Sequence, residues 1–136
     1  MNTKKFLLAS LAVFVVYSAL AYATHEIVLE RDYRALGTSV RALDEFTQRM
    51  PLLYLGNLVF ALAVSFVYVQ GYDKNKNWIG QGLRFSLLMG TLLVPVALAV
   101  YVAFPLPFSL ALKWIGFGYL QLVITAWVVA GIYRPE

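Results

Sequence analysis

The sequence predicts an all-α fold: an integral membrane four-helix bundle with an amphipathic helical segment between spans one and two. Of its 136 residues, 61% are hydrophobic and only 13% are charged, whereas charged residues make up about 25% of an average soluble domain. A soluble chain of 15.3 kDa would have too small an interior for so many apolar side chains. Four stretches also reach the roughly 20 apolar residues that a membrane-spanning helix needs.

The four predicted spans take over half of the chain and leave no linker long enough to separate domains. They are residues 6–23, 51–69, 83–104 and 108–133. An amphipathic helix of a soluble protein shows a polar face with a period of about 3.6 residues, but these stretches are apolar nearly all round. We therefore expect one transmembrane domain over residues 1–136.

The first span has a second interpretation, because it also fits the pattern of a secretory signal peptide. Lys4 and Lys5 form a basic start, an apolar run follows, and Ala21-Tyr22-Ala23 matches a cleavage pattern. Cleavage would leave three spans. Tyr22 and the charged residues that follow it equally fit the exit of an ordinary span, and we expect the span to be retained.

The connection between the first two spans, residues 24–50, is predicted to be amphipathic. Apolar residues recur at steps of four and three, which is the spacing of one helical face, and charged residues occupy the other faces. The apolar face consists of Leu29, Tyr33, Leu36, Val40, Leu43, Phe46 and Met50. Such a segment covers its own bundle, lies on the membrane surface or docks a partner helix.

A break is expected in the middle of this segment. Gly37 interrupts the pattern, and Thr38 or Ser39 is placed to cap a second helix. We therefore expect the first span to continue to about residue 36 and a second helix to cover about residues 40–49.

Prolines mark further boundaries. Pro51 is suited to the first turn of the second span. Pro105 and Pro107 stop the third span and begin a tight turn, which makes spans three and four antiparallel neighbours. Pro95 removes a backbone hydrogen bond in the middle of span three, so a kink is expected there.

The placement of Lys and Arg favours a cytoplasmic N-terminus and C-terminus. Six basic residues lie on the side of the termini and five lie on the other side. Lys4 and Lys5 adjoin the first span, which usually dominates orientation. We expect a multi-pass protein of the bacterial inner (plasma) membrane with both termini in the cytoplasm.

Polar side chains inside spans are the usual indicators of function in membrane proteins. Counted at about 1.5 Å per residue, four of them lie roughly 20 Å from the outer ends of their spans, a little past the bilayer middle. This polar layer consists of Ser10, Ser65, Thr91 and Gln121. Hydrogen bonding between helices is the ordinary role of such residues, and the pathway of a small channel or carrier is the alternative.

Two further groups of polar residues are predicted nearer the outer interface. Tyr17, Asn57 and Lys113 form an outer polar cluster, in which Asn57 is expected to bond Tyr17 or Lys113. His25, Glu26 and Glu30 form an interfacial cluster where span one leaves the membrane. One imidazole with two carboxylates suits a hydrated metal, but the spacing is not that of a zinc helix. With one His and no Cys in the chain, we expect no metal, no cofactor and no catalytic residue.

Several short motifs are spread over nearly the whole chain. They are Thr24-His25-Glu26, Arg49-Met50-Pro51-Leu52, Gly80-x-Gly82-Leu83-Arg84-Phe85 with Gly90, Pro105-Leu106-Pro107 and Gly131-Ile132-Tyr133-Arg134-Pro135. In these motifs the chain resembles a loose group of uncharacterised small bacterial four-helix inner-membrane proteins. The resemblance implies a bacterial inner membrane and no particular chemistry.

These observations predict a non-enzymatic interaction or accessory subunit of a membrane assembly. Its expected partners are membrane lipid and either further copies of itself or a larger membrane complex, and no nucleic acid. The amphipathic segment at residues 29–50 is the expected contact surface. The alternative is a small channel or carrier that uses the mid-membrane polar layer.

Overall fold

The computed structural model describes residues 2–37, 41 and 43–134, and all of the regular structure within them is helical. The elements are α1 (Thr3–Tyr22), a π-helix (Ala23–Val28), α2 (Glu30–Ala35), α3 (Leu43–Gln70), α4 (Trp78–Ala103) and α5 (Phe108–Tyr133). Four helical stretches of 26 to 28 residues are long and apolar enough to cross a membrane. These are α3, α4, α5 and the combined stretch Thr3–Val28. The predicted all-α fold with four spans is confirmed.

The first span continues beyond the apolar stretch, as expected. The π-helix follows α1 directly, Leu29 separates it from α2, and α2 ends at Ala35. Gly37 then has a φ of 55°, in the left-handed region that glycine adopts without steric cost. The break predicted at Gly37 is therefore present. The expected caps at Thr38 and Ser39 and the expected helix start near Val40 lie outside the described residues.

The second span differs from the prediction at Pro51, because this proline does not open a helix. It lies inside α3, which begins at Leu43 and runs through Pro51 to Gln70. Proline removes one backbone hydrogen bond from a helix interior, but side chains support the turns before it. Glu45 pairs with both Arg41 and Arg49, one turn away on either side, and pairs at this spacing stabilise a helix modestly.

The helices pack in an order that differs from their order in the chain. α5 packs along α4 and also along α1, and α1 packs along α3. The extensive contact between α4 and α5 confirms that these spans are neighbours. The central cluster is formed by small and aromatic side chains of α1, α3 and α5. It consists of Ala9, Val13, Ala61, Tyr68, Val129, Ala130 and Tyr133.

The contact between α4 and α5 depends on small residues of α4. Gly82, Ser86 and Gly90 recur every four residues and are all buried. A Cβ atom on Gly90 would lie only 2.3 Å from Cε1 of Tyr119, and one on Gly82 would lie 2.8 Å from Cδ1 of Trp127. Small residues at this spacing let membrane helices approach closely. The aromatic rings of α5 therefore lie directly against the backbone of α4.

The two ends of the bundle have different contents. At the termini end, the backbone N–H of Asn2 donates to the hydroxyl of Tyr133 at 3.0 Å, so the start of α1 and the end of α5 lie together. The α3–α4 loop lies at this end as well. The opposite end carries the π-helix, α2 and the first turns of α3 and α5, and we refer to it as the long-loop end.

Candidate functional site

The candidate site is a polar network at the long-loop end, centred on Tyr33 of α2. The hydroxyl oxygen of Tyr33 lies 2.6 Å from Nδ1 of His25. Nε1 of Trp114 donates to the same oxygen at 2.8 Å. Because an indole N–H can only donate, the Tyr33 oxygen accepts from Trp114 and its own hydrogen can bond Nδ1 of His25. One hydroxyl thus joins the π-helix, α2 and α5.

The π-helix positions this network. Its wider turns are closed by bonds that span five residues, as in the bond from the N–H of Leu29 to the carbonyl of Thr24 at 2.9 Å. Leu29 leaves helical geometry, with φ −96° and ψ 4°, and its side chain is almost fully buried. This buried leucine anchors the start of α2. The change of direction lets Asp32 and Tyr33 of α2 reach the second turn of α5.

A second connection between α2 and α5 is ionic. Nζ of Lys113 lies 2.7 Å and 2.8 Å from the two carboxylate oxygens of Asp32. Both side chains are partly exposed to the surroundings, and ion pairs in such settings are worth about 0–1 kcal/mol. A lysine near the end of a span can extend its long side chain to the interface, and Lys113 lies in the second turn of α5. Asp32 offers its ammonium group a carboxylate partner there.

A third connection lies deeper in the bundle. Nε2 of Gln121 donates to the hydroxyl oxygen of Thr24 at 2.8 Å, and both side chains are buried. Bonds of this type between membrane helices average about 0.6 kcal/mol. Gln121 therefore holds the beginning of the π-helix against the middle of α5.

The predicted polar layer does not form a connected set of hydrogen bonds in the described part of the chain. The hydroxyl of Ser10 donates to the carbonyl of Phe6, within its own helix. The hydroxyl of Thr91 lies 2.9 Å from both the Leu87 carbonyl and the Tyr119 hydroxyl. Ser65 is buried with no hydrogen-bond partner among the described residues. The structure thus gives Ser10, Thr91 and Gln121 three different local environments.

The members of the outer polar cluster also contact different partners rather than one another. Nδ2 of Asn57 donates to the hydroxyl of Ser18 at 3.1 Å, so the structure gives it a partner other than the expected Tyr17 or Lys113. The ring of Tyr17 instead packs on Phe60, with centroids 4.3 Å apart. Asn57 still joins α3 to α1, but through the residue next to Tyr17.

The interfacial cluster separates into different contacts. His25 bonds Tyr33, while Glu30 pairs with Arg34 one turn along α2. Glu26 is exposed. Within residues 2–37, 41 and 43–134, His, Asp and Glu side chains form no group of three arranged to hold a metal ion.

The network favours a neutral tyrosine. Burial raises the pKa of the Tyr33 hydroxyl above its ordinary value of 10.0; the bond from Trp114 opposes this shift, and the negative charges of Glu26 and Asp32 add to it. Tyr33 therefore keeps its proton at physiological pH and remains able to donate to His25. The chemistry that this arrangement supports is the fastening of the long loop to α5 by hydrogen bonds and one ion pair.

Four members of this network are not among the site residues predicted from sequence. They are Thr24, Asp32, Tyr33 and Trp114. Tyr33 was predicted on the apolar face of the amphipathic segment, which is consistent with its half-buried ring. Its hydrogen-bonding role depends on the turn made by the π-helix, and the sequence carries no local signal for that turn.

The fold and this network define a class: a four-span, all-helical, multi-pass membrane protein with its long loop fastened to its last span. No family model, no curated protein and no solved structure matches the chain. The class therefore rests on the length, composition and contacts of the helices themselves.

Proposed function

We propose that this chain is a non-enzymatic interaction or accessory subunit of a membrane assembly, either as a homo-oligomer or within a larger complex. The observation that carries the proposal is an apolar face of α3 that extends beyond its own bundle. In the bundle, this face packs inward through Ala61, Val64 and Tyr68, which are all buried. Steps of three and four residues continue the same face toward the start of α3.

At the start of α3 the inward face loses part of its intramolecular cover, most clearly at Leu43. Leu43, Phe46 and Met50 continue the stripe by helical spacing. Leu43 is 76% exposed, and Phe46 and Met50 are only partly buried. The first span, which packs along α3 deeper in the bundle, gives way to the π-helix and α2 at this end. The exposed Leu43 at the end of the stripe supports contact with a helix of another chain.

The opposite face of these turns suits a watery or headgroup environment. Glu45 is paired with Arg41 at 3.2 Å and with Arg49 at 3.6 Å, and about half of each side chain is exposed. A helix end that is charged on one side and apolar on the other is the form in which an amphipathic helix docks into an apolar groove. The charges also fix which side of the helix faces a partner.

Site-directed cross-linking tests this proposal directly, because the chain has no Cys of its own. Leu43→Cys places a thiol on the apolar stripe, and Gln48→Cys places one on an exposed position of another face of the same helix end, about 7.5 Å farther along the axis. We expect oxidation or a short thiol cross-linker in native membranes to capture a partner through Leu43→Cys and not through Gln48→Cys. The mass of the product distinguishes a second copy from a different protein. Absence of product from both variants, together with a monodisperse monomer in mild detergent, would refute the proposal.

We further propose a bacterial inner membrane location with both termini in the cytoplasm, supported by Lys4 and Lys5 beside the first span and by the six-to-five division of basic residues. A membrane-impermeant maleimide tests the orientation in intact cells. Arg31→Cys is expected to react at once, and Lys74→Cys only after the membrane is opened. The reverse pattern would overturn the orientation without affecting the fold.

A further inference from the structure

A cleft of about 490 Å³ opens at the termini end, between the last turns of α3 and the first turns of α4. It exists because these consecutive helices pack on different neighbours, α3 on α1 and α4 on α5. Its deeper wall is apolar and includes Val67, Phe85 and Leu88, while Lys76, Gln81 and Arg84 line it nearer the loop. The cleft is thus polar at the membrane surface and apolar toward the membrane interior.

Arg84 is the central charged residue of this cleft. It lies about 9 Å along α4 from Trp78 at the usual rise per residue, inside a helix that is apolar enough to span a membrane. Its side chain is exposed and makes no hydrogen bond or ion pair within the described part of the chain. A guanidinium about two turns from the end of a span can extend to the interface, where it meets anionic lipid headgroups.

The surroundings of Arg84 are cationic. Asp73 is the only acidic residue between Phe46 and Pro135 in the sequence. Its carboxylate is already engaged, because Oδ1 accepts from the N–H of Asn75 at 3.0 Å and Oδ2 lies 3.2 Å from Nζ of Lys76. No protein carboxylate in this stretch of the chain is therefore available to pair with Arg84 in place of a phosphate.

The rim of the cleft is preformed. The side chain of Gln81 accepts from the backbone N–H of Asp73 at 2.9 Å and donates to the carbonyls of Asp73 and Lys76 at 2.8 Å and 3.0 Å. These bonds fasten the α3–α4 loop to the first turn of α4 and hold Lys76 beside the opening. A rim that is already ordered loses little conformational freedom when a ligand binds.

One side chain on the cleft wall has unused hydrogen-bonding capacity. Tyr68 lines the cleft and is 3% exposed, and its hydroxyl has no hydrogen-bond partner among the described residues. A buried hydroxyl without a partner is costly. Protein atoms cover this hydroxyl, so a polar group of a ligand supplies the missing bond only when a neighbouring side chain moves aside. This observation is independent of the charge of Arg84.

We propose that this cleft binds one anionic phospholipid, with its phosphate on Arg84 and Lys76 and an acyl chain along Val67, Phe85 and Leu88. Charge complementarity selects the headgroup, because basic pockets at the ends of membrane helices attract anionic lipid headgroups. The apolar wall favours a lipid over a free phosphate. Leu88 lies about 15 Å along α4 from Trp78, and only the acyl chain of a lipid can cover it while the lipid's phosphate stays near the membrane surface. The proposal does not depend on the partner-binding role of α3.

Native mass spectrometry of the detergent-purified full chain tests the proposal, with phosphatidylglycerol as the probe. Phosphatidylcholine and inorganic phosphate serve as the comparison ligands. We expect one phosphatidylglycerol per chain to bind at least about tenfold more tightly than phosphatidylcholine, since hydrogen bonds to charged groups are among the stronger ones. Inorganic phosphate should not displace it at equal concentration. Equal binding of both lipids, or displacement by phosphate at equal concentration, would overturn the proposal.

Three variants distinguish binding in the cleft from attraction to the general positive charge of this end. Arg84→Gln is expected to weaken phosphatidylglycerol binding about tenfold. Lys74→Gln also removes one positive charge at this end, from the α3–α4 loop, but Lys74 does not line the cleft, so phosphatidylglycerol binding by this variant should stay within about twofold of the wild type. Lys76→Gln, on the exposed loop, gives a second cleft variant if Arg84→Gln fails to fold. Equal losses in cleft and loop variants would show surface attraction alone and refute the site.

Discussion

The hydroxyl oxygen of Tyr33 lies 2.8 Å from the indole nitrogen of Trp114, although the two residues are 81 positions apart in the chain. Tyr33 belongs to a six-residue helix and Trp114 to the second turn of α5. The same oxygen lies 2.6 Å from His25. A short helix that has little packing of its own is thus held by side-chain bonds to the last span.

Tyr33→Phe removes this oxygen and leaves the ring in place. We expect the free energy of unfolding to fall by about 1 kcal/mol, the typical net value of a protein hydrogen bond. The chain has three Trp residues, so the indole N–H resonances can be followed one by one by NMR. Only that of Trp114 should move strongly. Tyr22→Phe, at an exposed position, is the matched control, and an unchanged Trp114 resonance in Tyr33→Phe would contradict the network.

The raised pKa of Tyr33 predicts an alkaline limit to this stabilisation. Burial is the main cause of the shift, and Glu26 and Asp32 add to it. An unfolded tyrosine ionises near pH 10, so the stability that Tyr33 contributes is fully present below that pH and is lost as the pH rises through its higher folded pKa. We expect the difference in thermal unfolding between the wild type and Tyr33→Phe to be constant from neutral pH to about pH 9. The difference should shrink at higher pH. A difference that grows as the pH rises would contradict the raised pKa of Tyr33.

Gly90→Ala should disturb the α4–α5 contact. The new Cβ would lie 2.3 Å from Cε1 of Tyr119, so the ring or the helix must shift, at a typical cost of about 1–3 kcal/mol. The adjacent bond between Tyr119 and Thr91 should weaken as well. Gly116→Ala is the control, because nothing lies within 4 Å of its Cβ position. Thermal unfolding in detergent should place Gly90→Ala below the wild type and Gly116→Ala at or above it, and equal effects would contradict the close approach.

Gln121→Leu removes the buried bond to Thr24. We expect a loss of about 0.6 kcal/mol in the free energy of unfolding, with the fold retained. Ser10→Ala should cost less, because Ser10 bonds only its own helix. The same Gln121 variant checks the carrier alternative in liposomes. Loss of a solute flux in a folded variant would support a transport pathway through the polar layer. An unchanged flux would show that Gln121 is not part of such a pathway.

The spans could be predicted from sequence because lipid solvation is a local requirement on each stretch of about 20 residues. The predicted fourth span, residues 108–133, has the same limits as α5. The proline turn that starts at Pro105 and the break at Gly37 also follow from local backbone chemistry. Pro51 was wrongly expected to open a helix. α3 begins at Leu43 and runs through Pro51, and the pairs of Glu45 with its neighbours add only modest support to the turns before the proline.

The site could not be predicted in the same way. Tyr33 and Trp114 meet because of the order in which the helices pack and the rotation of each helix, and neither property is encoded in the hydropathy of a single span. The stripe of Gly82, Ser86 and Gly90 could have been found from its four-residue spacing. The bond between Gln121 and Thr24 could not, because it requires the π-helix to bring Thr24 against α5.

The central claim is that hydrocarbon covers the outer surfaces of these helices. Leu92, in the middle of α4, is 67% exposed in the isolated chain, so its accessibility to water measures that claim most directly. Leu92→Cys and Asn75→Cys in the Cys-free chain should be compared in proteoliposomes with a water-soluble maleimide present on both sides of the membrane. We predict rapid labelling of Asn75→Cys in the loop and no labelling of Leu92→Cys until the protein is denatured. Rapid labelling of Leu92→Cys in the folded, reconstituted protein would contradict a membrane-spanning α4.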